Sequence, residues 1–256
     1  MDMDHNHKGH LHPITQVIRE IYSVFYDLGF EIADGPELED EFHNFDALNI
    51  SPDHPARDMQ DTFWIKSKVK SQKSKVEDGN REIGKEKHMV LRTHTSSVQI
   101  RYMEEKAKAG LTPPFRIVVP GKVFRNEATD ATHEAQFYQM EALYVDKNVT
   151  VAHLKGVLET VFKKLFGPDV EIQFRPSFFA FTEPSLEIFM KLKGKWLEIG
   201  GSGLVHPNVF KAVGLDPHEW QGFAFGFGVD RIAMLKFGYD DVRLSYGGDL
   251  RFINQF

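Results

Sequence analysis

Between Gly222 and Met234, glycines alternate with apolar residues and then give way to helical spacing with one arginine embedded. The pattern predicts a strand feeding a helix. Gly226 and Gly228 carry no side chain, so a flat ligand can approach the backbone there. Arg231 adds a planar cation able both to stack on an aromatic base and to hold a phosphate. The chemistry on offer is nucleotide binding, although a glycine-rich packed strand ending in a surface arginine would use the same residues.

A second candidate region runs from Gln136 to Val145, where strand alternation separates two faces. Tyr138, Met140, Ala142 and Tyr144 form one, and Phe137, Gln139, Glu141, Leu143 and Val145 the other. If the second face lines a cleft, Gln139 and Glu141 are a neutral and a charged acceptor for an ammonium group; if it faces water they are ordinary surface residues. Upstream, Pro120 to Glu127 and the loop Ala128 to Ala135 complete a hairpin in which Arg125 and Glu127 share a face. That pair is either a mutually neutralising surface couple or an anion clamp beside an acceptor for an adenine amino group. Arg125 and Arg231 together would suit a triphosphate flanked by charges.

Arg92-Thr93-His94-Thr95-Ser96-Ser97 brings hydroxyls and an imidazole. It lacks a Gly-x-Ser-x-Gly elbow, and no carboxylate is placed to orient the histidine, so ligand hydrogen bonding or helix capping fits better than nucleophilic catalysis. Phe179 and Phe181 are expected on one face of a strand, as core or as a pocket wall, with Glu183 next along it. Glu183 suits magnesium, which uses one or two carboxylates plus phosphate oxygens.

These groups need a frame. Pro13 opens a helix with Ile14, Val17, Ile18, Ile21, Val24, Phe25 and Leu28 on one face, ended by Gly29, and a short strand Phe30 to Ala33 follows. Thr150 caps a second helix whose apolar face is Leu154, Val157, Leu158, Val161, Phe162 and Leu165, stopped by Gly167-Pro168. Strands outnumber helices and are mostly joined by turns, so the expected fold is α+β around an antiparallel sheet flanked by helices. One domain is expected over residues 13–256. Residues 1–12 read as a disordered polar leader carrying His5, His7, His10 and His12, with divalent-metal capture as the alternative. Residues 66–88 read as an exposed charged insertion, a long hairpin or a disordered loop, whose acidic residues largely cancel its lysines.

The 256 residues carry a formal charge of −6, which argues against nonspecific nucleic-acid binding as the main activity. There are no cysteines, so disulfides, thiolate catalysis and cysteine-ligated zinc are excluded. The polar N-terminus and the lack of a long apolar run give the cytoplasm as the expected location.

Taken together, the segments resemble the class II aminoacyl-tRNA synthetases, and within them the catalytic α subunits of bacterial-type phenylalanyl-tRNA synthetases. Gly29 through Pro36 looks like motif 1, Phe124 to Glu127 with Phe137 to Glu141 like motif 2, and Gly226 to Arg231 like motif 3. The strings Asn44 to Asn49, Asp53 to Asp58, Arg92 to Ser96 and Val205 to Val209 are specific to that family. The resemblance implies a six- or seven-stranded antiparallel sheet that binds ATP and phenylalanine, forms an aminoacyl adenylate and passes the amino acid to tRNA. By position, adenine would lie between Phe137 and Arg231, Arg125 would hold the α-phosphate, and Glu127 would meet the adenine amino group. The substrate ammonium would meet Ser96, Gln139 and Glu141, with Trp64 and His94 closing around it. Phe179 and Phe181 would contact the ring, Ala224 would sit near its para position, and Glu183 would hold Mg2+.

Tyr138, Ala142, Ala180 and Ser202 depart from usual family residues without removing a ligand. The resemblance further implies a β subunit, in an α2β2 assembly, for tRNA binding and editing, and this chain reads as the catalytic core without the family's N-terminal arm. A catalytically silent paralogue acting as a binding module is the contrasting reading, against which stand intact Arg125, Gln139, Glu141, Glu183 and Arg231.

Overall fold

The computed structural model describes residues 9–58, 61–65 and 88–256. In chain order they form α1 (Pro13–Asp27), β1 (Glu31–Ile32), β2 (Leu38–Asp40), α2 (Glu41–Asn44), β3 (Trp64–Ile65), β4 (Met89–Leu91), α3 (Ser96–Lys108), β5 (Phe115–Phe124) and β6 (Gln136–Asp146). There follow α4 (Val151–Phe166), β7 (Glu171–Phe179), β8 (Thr182–Leu192), β9 (Lys195–Val205), α5 (Pro207–Ala212), β10 (Gln221–Gly228), α6 (Val229–Phe237) and α7 (Leu250–Ile253). A seven-stranded sheet has the order β1-β5-β6-β10-β9-β8-β7, and a three-stranded sheet the order β2-β4-β3. All neighbours in the large sheet are antiparallel except the edge pair β1 and β5, which run parallel.

Pro13 at the first helical position and the His12 ring, which accepts from the Ile14 amide, start α1 as the sequence predicts. Its apolar face, from Ile14 to Phe25, packs with that of α4 on one side of the sheet. The other side is covered by a second cluster that includes Val98, Ile100 and Met103 of α3 and Val209 and Phe210 of α5. The two-residue period of β6 divides as expected: Met140 and Ala142 enter the first cluster, Leu143 and Val145 the second. Two buried layers on opposite faces leave the sheet little freedom to slip, because a one-residue shift would exchange every side chain between them.

The leader differs from expectation at its described end. His10 Nδ1 lies 2.9 Å from the Phe256 carbonyl and His12 Nε2 lies 2.9 Å from the Ser245 carbonyl, so residues 10–12 dock on the C-terminal stretch. His5 and His7 lie outside the described residues, as does all of the 66–88 insertion except His88. The strands on either side of that insertion pair with each other, Trp64 opposite Val90.

Candidate active site

A cavity of about 500 Å³ opens over the middle of the large sheet, and its floor is made by glycines of β9 and β10. They are required for different reasons. A Cβ at Gly226 would come within 2.6 Å of Glu141 Cγ, so this glycine makes room for the protein's own carboxylate, not for a ligand as its motif suggests. A Cβ at Gly228 would meet only Arg231 Cβ at 3.9 Å, so there the approach from the cavity is open. The strand-to-helix reading of this motif holds, with β10 ending at Gly228 and α6 beginning at Val229.

Glu141 is buried on β6, facing the first turns of α3. Ser96 Oγ donates to its Oε2 at 2.5 Å and Gln99 Nε2 to the same oxygen at 2.8 Å. Burial pushes its carboxyl up to about 7, with the Ser96 hydrogen bond and Arg125 opposing the rise. Two residues along the strand, Gln139 Oε1 is buried without a partner, an acceptor aimed into the cavity. His94 lines the same wall. Neither of its ring nitrogens completes a hydrogen bond, although the Asn44 backbone is near, and burial with repulsion from Arg125 and Arg92 pushes its pKa down to about 3. The imidazole is therefore neutral at any working pH.

The opposite wall is a hairpin. Phe179 ends β7, Ala180 and Phe181 form the turn and Thr182 begins β8. The expectation of one continuous strand carrying both phenylalanines is thus corrected, because alternation runs unbroken through a turn that contains no glycine, proline or asparagine. The rings still stack, 6.0 Å between centroids and 16° between planes. Ala224 of β10 lies at the cavity floor, 8% exposed.

At the far end, the Arg125 guanidinium lies over the Phe137 ring at 5.1 Å, its Nε donating to the Thr93 carbonyl at 3.3 Å. Arg125 and Glu127 fall just beyond β5 in the connecting loop, with Nη1 and Oε1 4.0 Å apart. Arg231, in the first turn of α6, is exposed and held by its Nε on the Glu198 carbonyl at 3.0 Å. Its neighbour Asp230 is buried; it accepts from the Tyr138 amide at 2.7 Å and from the Tyr246 hydroxyl at 2.6 Å. One carboxylate thereby joins the start of β6 to the start of α6 and fixes Phe137 and Arg231 relative to each other.

The structure brings His94, Ser96, Arg125, Phe137, Gln139, Glu141, Phe179, Phe181 and Ala224 onto one cavity. Trp64 is not among the lining residues; it stacks on Phe45, with its indole N–H donating to the Arg57 carbonyl at 3.2 Å. Glu127, Glu183 and Arg231 stand outside the lining. The Glu183 carboxylate is largely exposed, 3.6 Å from His206 Nε2. Among the described residues the one group of three with metal-ligand geometry is instead Glu39, Asp40 and His43. It is closed on itself by Arg101 on Glu39 and by the Asp40–His43 pair. Sequence reasoning missed Gln99, although its position three residues after Ser96 on α3 puts both on one helical face. It also missed Gly201, which the hairpin wall requires.

A family model described as tRNA synthetases class II core domain (F) matches residues 1–256. Over 97% of its length the chain is 50% identical to the phenylalanine–tRNA ligase alpha subunit of Neisseria meningitidis serogroup B, and 51% identical to that of Rhodopirellula baltica. It belongs to the alpha-subunit family of class II phenylalanine–tRNA ligases. The synthetase chain spans 68% and 69% of the lengths of those two relatives. Its fold is similar to the crystal structure of pyrrolysyl-tRNA synthetase from Desulfitobacterium hafniense. That likeness has a TM-score of 0.69 at 16% identity and covers 94% of this chain and 75% of the other. The class II core therefore accounts for the seven-stranded sheet. No helix among the described residues is long and apolar enough to cross a membrane.

Proposed function

We propose that this protein activates phenylalanine with ATP and transfers it to its tRNA, as the catalytic α chain of a phenylalanine–tRNA ligase. The observation that carries the reading is one cavity with a buried carboxylate and an unpartnered amide oxygen at one wall and two stacked phenylalanines at the other. Such a site suits an ammonium and an aromatic ring a few ångströms apart. Gln139, Glu141 and Ser96 take the ammonium, Phe179 and Phe181 the ring, with Ala224 near its para position and neutral His94 beside it. Trp64 acts from behind the wall, through Phe45.

In the first step a carboxylate oxygen of phenylalanine attacks the α-phosphorus of ATP and pyrophosphate leaves. The nucleophile is already ionised, so the protein needs to align it and to neutralise phosphate charge, and no general base is required. Arg125 holds the α-phosphate, Phe137 and Arg231 receive adenine, and Glu127 accepts from its amino group. Magnesium, which the class uses, would neutralise phosphate charge when bound. Glu183 belongs to no cluster of three potential ligands among the described residues, so it fits as a single carboxylate completed by other oxygens. Transfer to tRNA, a β subunit in an α2β2 assembly and a cytoplasmic setting complete the reading.

The experiment is ATP–pyrophosphate exchange across the standard amino acids, first by the chain alone and then with its β subunit. Phenylalanine-dependent exchange is expected. Exchange with a different amino acid, or none under either condition, would overturn the assignment.

A further inference from the structure

Two of the family-specific strings, Asn44 to Asn49 and Val205 to Val209, contribute no ligand to the proposed site, yet both converge on the hairpin that carries Phe179 and Phe181. Asn49 follows a single 3-10 turn, Asp46–Leu48, and sits in the left-handed region at φ 60° and ψ 21°, where asparagine is among the few residues at ease. Its Nδ2 donates to the Ala180 carbonyl at 2.7 Å, at the turn between the two stacked rings. Only the NH2 end of the amide can face a carbonyl, so Oδ1 is left as an acceptor. It accepts from Asn208 Nδ2, at the start of α5, at 3.0 Å.

Two more groups at the turn are held by residues close to it in the fold. The His206 amide donates to the Phe181 carbonyl at 2.9 Å, and the Phe179 amide donates to Ser185 Oγ at 3.0 Å. The Ala180 carbonyl is held by the side chain of a residue 131 positions away. The residues beside the two asparagines, Leu48 and Val209, line the cavity themselves. The clamp and the pocket wall are thus one structure.

We propose that Asn49 is a positioning residue for amino-acid selection. By holding the Ala180 carbonyl it fixes the turn that carries the stacked Phe179 and Phe181 rings, and so the position of the wall against which the substrate ring packs; Asn208 fixes Asn49 in turn. The proposal rests on the reading that this pocket accepts phenylalanine.

The test compares the unchanged protein with Asn49→Asp and Asn208→Ala, each assembled with the β subunit, by pyrophosphate exchange with phenylalanine and para-chlorophenylalanine. Asn49→Asp keeps the size and the tolerance of positive φ but replaces the donor with a carboxylate oxygen. The KM for phenylalanine is expected to rise about tenfold, the scale of one lost hydrogen bond, while the KM for ATP stays within about twofold. The kcat/KM preference for phenylalanine over the para-chloro analogue is expected to fall about fivefold or more, with a smaller fall in Asn208→Ala. An unchanged preference in Asn49→Asp, or equal effects on the phenylalanine and ATP terms, would overturn the proposal. If Asn49→Asp does not fold, an unchanged preference in Asn208→Ala overturns it. An unchanged protein without phenylalanine-dependent exchange sinks the functional reading and takes this proposal with it, whereas normal exchange with unshifted variants sinks this proposal alone.

Discussion

Gly201 leaves its side-chain space to the ring of Phe179: a Cβ on that glycine would stand 2.7 Å from Phe179 Cζ. The ring is packed onto the sheet from inside the cavity and backed on its other side by Phe181. Gly201→Ala is expected to push the Phe179 ring into the slot at an overpacking cost of about 1–3 kcal/mol. Phenylalanine kcat/KM in pyrophosphate exchange should fall by about 10- to 100-fold, with the KM for ATP little changed. Equal loss in both terms would show that the glycine serves the sheet and not the pocket.

The pH dependence of phenylalanine binding should come from Glu141. In the free protein burial holds its carboxyl at about 7 against an ordinary 4.5, and an ammonium beside it favours the ionised form. Binding below about 7 therefore expels a proton, and affinity should fall as pH falls through that value, approaching tenfold per unit. His94 adds nothing there, since it titrates near 3. For folding the sign is the reverse. With its pKa raised in the folded state, Glu141 contributes stability that is present below about 4.5 and lost as pH rises through about 7. Calorimetric binding from pH 5.5 to 8, in two buffers of different ionisation heat, would count the proton. Glu141→Gln should bind phenylalanine weakly and with a flat profile.

Ala224 lies at the cavity floor, and in the proposed placement a hydroxyl at the para position of the ring would meet its methyl group. An apolar pocket rejects an added hydroxyl by only about 100-fold, so tyrosine activation should be low but measurable. Ala224→Gly should raise exchange with para-substituted phenylalanines while phenylalanine exchange persists. An unaltered amino-acid profile would remove Ala224 from the para position.

Arg231 is exposed and makes one hydrogen bond to a carbonyl, so its removal should leave the fold intact. Its loss should nonetheless raise the KM for ATP about 10- to 100-fold, the scale of one lost stacking contact with a base. Arg231→Ala with unchanged melting and unchanged exchange would displace the ATP site from this end of the cavity.

Arg92 is 2% exposed and carries no proposed contact with substrate. Its Nε donates to the Lys122 carbonyl at 2.7 Å and Nη1 to the Gly35 carbonyl at 3.0 Å, joining the segment after β1 to β5, with Gly121 clearing space for the guanidinium. Arg92→Ala should cost about 1–3 kcal/mol in urea unfolding, because two part-buried carbonyls lose a charged donor. Lysine should rescue little, since one ammonium cannot span the two acceptors in that geometry.

Local period carried most of what was legible in the sequence. The helical spacing of α1 and α4 and the alternation along β6 put each apolar residue on its observed side, and nine of the expected site residues fell onto one cavity while Trp64, Glu127, Glu183 and Arg231 did not. What escaped was set by distance in the chain. The short strand at Phe30 to Ala33 was legible and is β1, but its parallel partner lies more than 80 residues on, and no periodicity announces that pairing. The turn at Ala180 and Phe181 is held by Asn49, and a turn stabilised from elsewhere needs no turn residues of its own. Gly226 was read as a place for a ligand because the sequence does not show that Glu141 sits across from it, a register that appears only when β6 and β10 are paired.

The bridge from Asp230 to the Tyr138 amide and the Tyr246 hydroxyl has a practical side. It acts as a spacer between the two residues proposed to sandwich adenine, and one of its ends comes from a stretch that follows every strand of the sheet. A chain cut before residue 246 would keep all ten described strands and the buried residues of both core clusters, and a far-ultraviolet spectrum would report it as sound. Its base-binding slot would already be slack, so the integrity of this enzyme is better judged by nucleotide affinity than by secondary-structure content.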